Sequence, residues 1–181
     1  VVAQATASAA PPTHGGDVAP YSMTRVTSSD IDDQAANLTQ WRQVYAQMTP
    51  GHFVGSVHEV CFGGVQVFRE TTSQGVHESG APWTGSRAVG VPMRVEGAAL
   101  FRGQAVDSEA LVTLGGDDEL DFYTPRGFDI LGFAVDEREL EAHARQIEHC
   151  DIAAAFDGKC VLKTDAGRRD EFRRLLLSVL Q

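Results

Sequence analysis

The chain has 181 residues, 43% of them hydrophobic, and a formal net charge of −10. That suffices for one well-filled core and is marginal for two, while the acidic balance argues against direct DNA binding, which needs a basic patch to release condensed counterions. Cys61, Cys150 and Cys160 are odd in number and irregular in spacing, so they form no disulfide framework and fit a reducing cytoplasm; no apolar run approaches the roughly 20 residues of a membrane-spanning helix.

Residues 1–29 are rich in Ala, Ser, Thr, Pro and Gly without apolar periodicity and are expected to form a mobile tail. From Asp30, the residues Ile31, Ala35, Leu38, Tyr45 and Met48 recur at helical spacing, which predicts one amphipathic helix ended by Thr49-Pro50-Gly51. Between His52 and Val135, short apolar stretches are broken by glycine-rich turns, the texture of an all-β sandwich or barrel. Strands are expected near Phe53–Phe62, Val65–Thr72, Ser86–Val95, Ala98–Gly103, Ala110–Leu114, Glu119–Thr124 and Asp129–Val135. Residues 136–181 read as helices. Asp136 and Glu139 make a capping box ahead of Leu140, Ala144 and Ile147. Thr164 or Asp165 opens a last helix with an apolar stripe of Phe172, Leu175, Leu176, Val179 and Leu180. The fold class is therefore mainly β with flanking α: residues 30–135 form a helix plus a β-barrel or sandwich, followed by two or more C-terminal helices.

The search for catalytic signatures is negative. The sequence has no G-x-S-x-G elbow, no G-x-G-x-x-G and no P-loop. His58-Glu59 and His77-Glu78 are followed by Phe62 and Ala81 where a zinc helix needs its second histidine, and no H-x-H pair exists to chelate a metal from one strand face. His52, His58 and His77, or His149 with Cys150 and Cys160, read as ordinary residues before they read as ligands. Neither a metal nor a cofactor is expected. Arg168, Arg169, Arg173 and Arg174 interleave with Asp165, Asp170 and Glu171 and read as a solvated helix face.

Residues 41–70, with Trp41, Tyr45, Pro50-Gly51, Phe53, Gly55, Glu59 and the run Gln66-Val67-Phe68-Arg69-Glu70, resemble the N-terminal domain of AraC/XylS-family transcription regulators. Gly90-Val91-Pro92 and Thr124-Pro125 followed by Ile130-Leu131-Gly132 extend the likeness, which covers roughly residues 41–135. The resemblance implies a cupin-like barrel that senses a small-molecule effector, joined by helices to two helix-turn-helix units. Those units would lie beyond Gln181, so DNA contact is expected only through them. It also implies that the final helix can serve a homodimer, with packing on the barrel's own wall as the alternative.

A two-residue turn at Gly63-Gly64 would place His58 opposite Arg69, Val60 opposite Val67 and Phe62 opposite Val65. An apolar face carrying one imidazole and one guanidinium fits a ligand cavity, so His58, Val60, Val67 and Arg69, with Trp83 at the barrel mouth, are the expected ligand-binding residues for an effector with an anionic or acceptor group. Two alternatives stay open. Arg69 can pair with a carboxylate at the rim, or one extra residue in the turn would swap the faces, turning Glu59 and Glu70 inward and favouring a cationic effector. The function read from the sequence is a sensor without turnover; the competing reading is a metal-independent cupin-like enzyme of isomerase type.

Overall fold

The structure is a computed structural model that describes residues 21–181. Its elements in chain order are β1 (Tyr21–Ser28), α1 (Ile31–Ala35), β2 (Arg42–Gln47), β3 (Gly55–Phe62), β4 (Val65–Thr72), β5 (Val76–Ala81), β6 (Ser86–Arg94), β7 (Ala99–Phe101), β8 (Gln104–Val106), β9 (Ala110–Gly115), β10 (Leu120–Thr124), β11 (Phe128–Asp136), α2 (Glu137–Ile147), α3 (Ile152–Phe156), β12 (Val161–Lys163) and α4 (Ala166–Val179). Two antiparallel sheets face each other: a seven-stranded one in the order β1-β3-β4-β11-β6-β9-β12 and a five-stranded one in the order β2-β5-β10-β7-β8. The chain is thus mainly β with flanking helices, and all seven strands read from the sequence are present. None of the helices of the described residues is long and apolar enough to cross a membrane.

Gly63 and Gly64 adopt φ of 51° and 78°, the left-handed pair of a two-residue hairpin turn. The turn sets the register Phe62↔Val65, Val60↔Val67 and His58↔Arg69. Val57, Glu59, Gln66, Phe68 and Glu70 are buried on the face turned toward the other sheet, whereas Val60 and Val67 join a cluster with Leu131, Leu176 and Leu180 beneath α4. The main interior cluster combines Ala88, Val112, Leu114, Ile130 and Ala134 with Phe101, Leu120 and Phe122 from the other sheet. Facing glycines hollow this interior: Gly90 pairs with Gly132, and a side chain at Gly132 would run into the Phe68 ring.

The helix expected from Asp30 to Met48 is only five residues long. Asp30 caps it through the amides of Asp32 and Asp33, but β2 follows at Arg42 with Tyr45 as its single buried side chain. A strand with one apolar inward residue has no period of two to read, and its apolar spacing to Leu38 and Met48 coincides with a helical one. β5 escaped notice because one of its inward positions is a glutamate, Glu78. It is tied to β2 at Gly80, where φ is 136° and any side chain would strike the Arg42 carbonyl. β1 occupies residues assigned to the N-terminal tail; seven of its eight residues are exposed, so backbone pairing to β3, and not burial, holds it. Residues 1–20 of that tail lie outside the described residues. β12 pairs with β9, so the sheets draw strands from both sides of the 30–135 span.

Asp136 caps α2 and Asp165 caps α4. The stripe of α4 packs on the chain's own sheet: Leu176 and Leu180 are buried, Phe172 meets the Phe133 ring edge-on at 5.8 Å, and Val179 is partly covered. Leu175 is not part of it and is 59% exposed. The inward side is completed by arginines, not only by leucines, which corrects the reading of a wholly solvated basic face. Arg169 is buried and donates to the Glu109 carbonyl, and Arg173 donates to the carbonyls of Pro92 and Ser108. Replacing Leu176 with Glu should therefore destabilise the folded chain by several kcal/mol, about the cost of an unpaired charge in an apolar site. Leu175→Glu should change stability by less than about 0.5 kcal/mol. Chemical denaturation of the two variants checks the contrast.

Candidate functional site

Between the sheets lies a cavity of about 50 Å3. It is mostly apolar, with Phe68, Ile130, Phe101 and Phe122 on its walls, and Glu70, Glu78 and Gln43 as its principal polar groups. By volume it holds roughly three or four waters, or a molecule of few non-hydrogen atoms.

Glu70 enters from β4 and Glu78 from β5, one carboxyl from each sheet. Gln34 of α1 donates its side-chain amide to Glu70 at 2.8 Å, and the Tyr45 hydroxyl reaches both Glu70 oxygens at 3.1 and 3.2 Å. The sequence folds this way locally because Gly55 leaves the space that Gln34 fills; a side chain there would lie 2.5 Å from the Gln34 amide oxygen. Glu78 sits opposite Tyr45 in the β2–β5 pairing and opposite Phe122 in the β10–β5 pairing. It is only 7% exposed, and its carboxyl makes no side-chain hydrogen bond among the described residues. The Gln43 side-chain oxygen is likewise buried without a partner.

Burial pushes the Glu70 carboxyl up to about 7, against the lowering effect of its hydrogen bonds to Gln34 and Tyr45. Glu78 is raised well above the carboxylate range, first by burial and then by Glu70. Burial and Glu70 also keep the Tyr45 hydroxyl protonated far above its usual value. The pair therefore carries at least one proton at neutral pH.

A third buried glutamate, Glu59, has a different setting. It accepts from the Thr39 amide at 2.9 Å, from the Thr39 hydroxyl and from Gln66, whose own oxygen accepts from the Trp41 indole at 2.8 Å. This network pins the segment that crosses from α1 to β2, and no acceptor in it is left open to a ligand.

The residues expected to bind a ligand lie elsewhere. His58 and Arg69 are neighbours, but on the outer face of the seven-stranded sheet. Arg69 donates two hydrogen bonds to Asp129 at 2.9 and 2.7 Å, with 42% of its side chain exposed, which is the rim pairing left open above. Arg25 donates to His58 Nδ1, and burial followed by Arg25 and Arg69 lowers the His58 pKa. Val60 and Val67 pack under α4. The pairing expected from the hairpin is right and the choice of face is not: α4 supplies the apolar cover that the sequence reading gave to a ligand. Trp83 stands in the β5–β6 turn, partly buried against the interior cluster, and borders a surface groove with Tyr21, Cys61 and Phe62, not the cavity. Glu70 belongs to the alternative inward face already weighed; Glu78, Gln43 and Tyr45 were missed. The alternation of Val76 with Glu78 was the available signal, masked because a carboxylate is normally read as facing water.

Among the described residues no three His, Cys, Asp or Glu side chains converge as metal ligands, and Cys61, Cys150 and Cys160 are free thiols. No known protein family matches the chain. Of the solved structures, a conserved protein of unknown function from Pseudomonas aeruginosa PAO1 is similar, at 15% identity and a TM-score of 0.33, over 65% of this chain and 57% of that one. The chain spans less than two thirds of that protein's length, and at this level the likeness says nothing about function.

Glu70 and Glu78 hold protons to higher pH in the folded chain than their ordinary value near 4.5 allows in the unfolded one. The folded state thus binds more protons from about pH 4.5 upward, and stability must fall as pH rises through that window, by up to about 1.4 kcal/mol per unit for each proton released late. Melting temperatures measured from pH 5 to 8 should decline, and Glu78→Gln, which places a neutral amide there, should flatten the decline and raise the value at pH 8.

Proposed function

We propose that this chain is the effector-sensing domain of an AraC/XylS-type transcription regulator, which holds a small molecule between its sheets without converting it. The observation that supports this most is the buried Glu78 carboxyl, unpartnered at the edge of an otherwise apolar cavity and facing a second carboxyl from the opposite sheet. Burying such a group without a partner costs free energy that a bound ligand returns. The cavity's position also suits signalling. β4 presents Phe68 and Glu70 to the cavity and Val67 to the α4 cluster, so a ligand that shifts β4 or β11 acts on the helix seated on their outer side. In this reading the domain is cytoplasmic and cupin-like, and contact with DNA belongs to helix-turn-helix units joined to it. Leu175 is the one member of the expected dimer stripe left available to a second copy.

One observation favours the competing reading of a metal-independent enzyme: Glu70, at about 7, is poised as a general base near neutral pH. A thermal-shift screen against small metabolites, followed by product analysis of every stabilising compound, separates the two. Stabilisation with the compound recovered intact is expected, and conversion to a product would replace the sensor with the enzyme. Arg69→Leu should leave binding of any hit unchanged and cost about 1–3 kcal/mol of stability, since Asp129, only 14% exposed, loses its hydrogen-bond partner.

A further inference from the structure

We infer that the cavity lined by Glu70 and Glu78 is a binding site for a primary or secondary alkylammonium ion, which enters as a carboxyl proton leaves. The inference rests on the sensing reading above and names the chemistry of its ligand.

Hydrogen-bond supply and demand set the ligand class. Of the nearby donors, the Gln34 amide and the Tyr45 hydroxyl are spent on Glu70, and the Gln43 amide N–H group lies beside the Tyr45 hydroxyl. Once its proton has left, the Glu78 carboxylate, more than nine-tenths buried, and the Gln43 oxygen are acceptors facing the cavity without a donor among the described residues. Among the described residues no Lys, Arg or His lines the cavity, so none of them neutralises the pair. An anion or an acceptor-only ligand would meet two carboxyls. A neutral alcohol brings one donor but no charge to take the place of the proton. An ammonium nitrogen with two or three N–H groups meets the carboxyls and Gln43 together. The remaining walls match the other end of such a molecule. Phe68, Phe101 and Phe122 offer apolar contact to short alkyl groups and aromatic rings that attract a cation, while the volume limits the ligand to a few non-hydrogen atoms.

The exchange balances simply. Without ligand the carboxyls hold a proton, since β2, β4, β5 and α1 present only Glu70, Glu78, Tyr45 and the uncharged Gln34 and Gln43 to this place. As the ammonium ion enters, the proton leaves to solvent and the net charge of the site is unchanged. No bond to carbon is made or broken. Acid therefore competes with the ligand, and affinity rises with pH through neutrality until the ligand's own nitrogen loses its proton.

The test is calorimetric titration of the 181-residue chain with ammonium, methyl-, ethyl-, propyl- and dimethylammonium chlorides at pH 6 and 8, in buffers of different ionisation enthalpy. Propanol and propionate serve as neutral and anionic controls. Saturable binding of at least one alkylammonium ion is expected, tighter at pH 8 than at pH 6 by about tenfold to hundredfold, the upper figure for one full proton released at tenfold per pH unit, with heats that track the buffer. Propanol and propionate should not compete. Glu78→Gln should weaken that binding tenfold or more while the variant melts no lower than the parent at pH 8, which separates lost recognition from lost folding. Absence of binding across the series, affinity independent of pH, or unchanged affinity in Glu78→Gln overturns the exchange site. Equal binding of propanol overturns the cationic class and leaves the sensing reading standing. Conversion of a bound amine to product overturns the sensing reading and leaves the cation site standing.

Discussion

The two-residue turn at Gly63-Gly64 decides which residues of β3 and β4 share a face of the seven-stranded sheet. Opposed residues of an antiparallel pair share a face, so fixing His58 against Arg69 also fixes Glu59, Gln66, Phe68 and Glu70 on the other side. The choice propagates: Glu70 pairs with Ile130 and Phe68 with Gly132 in β11, and Gly132 pairs with Gly90 in β6. One residue more in the turn would offset the two strands and put Glu59 and Glu70 on opposite faces. The cavity, its polar groups and the seat of α4 all depend on that register.

The interior places its acids in two ways. Glu59 is surrounded by donors from Thr39 and Gln66 and behaves as a structural anchor, holding the crossover between the sheets in one conformation. Glu70 has donors but lacks a cation, and Glu78 has neither, so this pair retains protons at pH values where carboxyls normally lose them. A sandwich of this size could fill the same volume with aliphatic side chains and gain stability. Keeping two glutamates there costs stability, and such a cost in a natural fold marks a place where function is the stronger constraint.

The outer face of the same sheet is closed by α4. Val60, Val67, Val91 and Leu131 meet Leu176 and Leu180, so two apolar layers back on each other through one thickness of β-sheet. Interiors packed this closely move in discrete steps rather than by continuous yielding. That arrangement gives the cavity and the C-terminal helix a common wall in β4 and β11.

From the sequence alone came the mainly β character, seven of the nine strands between Phe53 and Asp136, the cap at Asp136, the start of the last helix at Thr164 or Asp165 and the hairpin register, because each rests on local chemistry: alternation, glycine turns and capping side chains. Local chemistry does not say what covers a face. Val54, Val60 and Val67 looked like a cavity wall because the sequence shows an apolar surface but not the helix, more than a hundred residues away, that buries part of it. Nor does it reveal strands that carry almost no apolar pattern, such as β1, held by pairing, and β2 and β5, which bring Tyr45 and Glu78 inward. The tertiary structure decided the site: Glu70 and Glu78 are eight residues apart on strands of different sheets, and only the stacking of those sheets turns two unrelated acids into one buried pair.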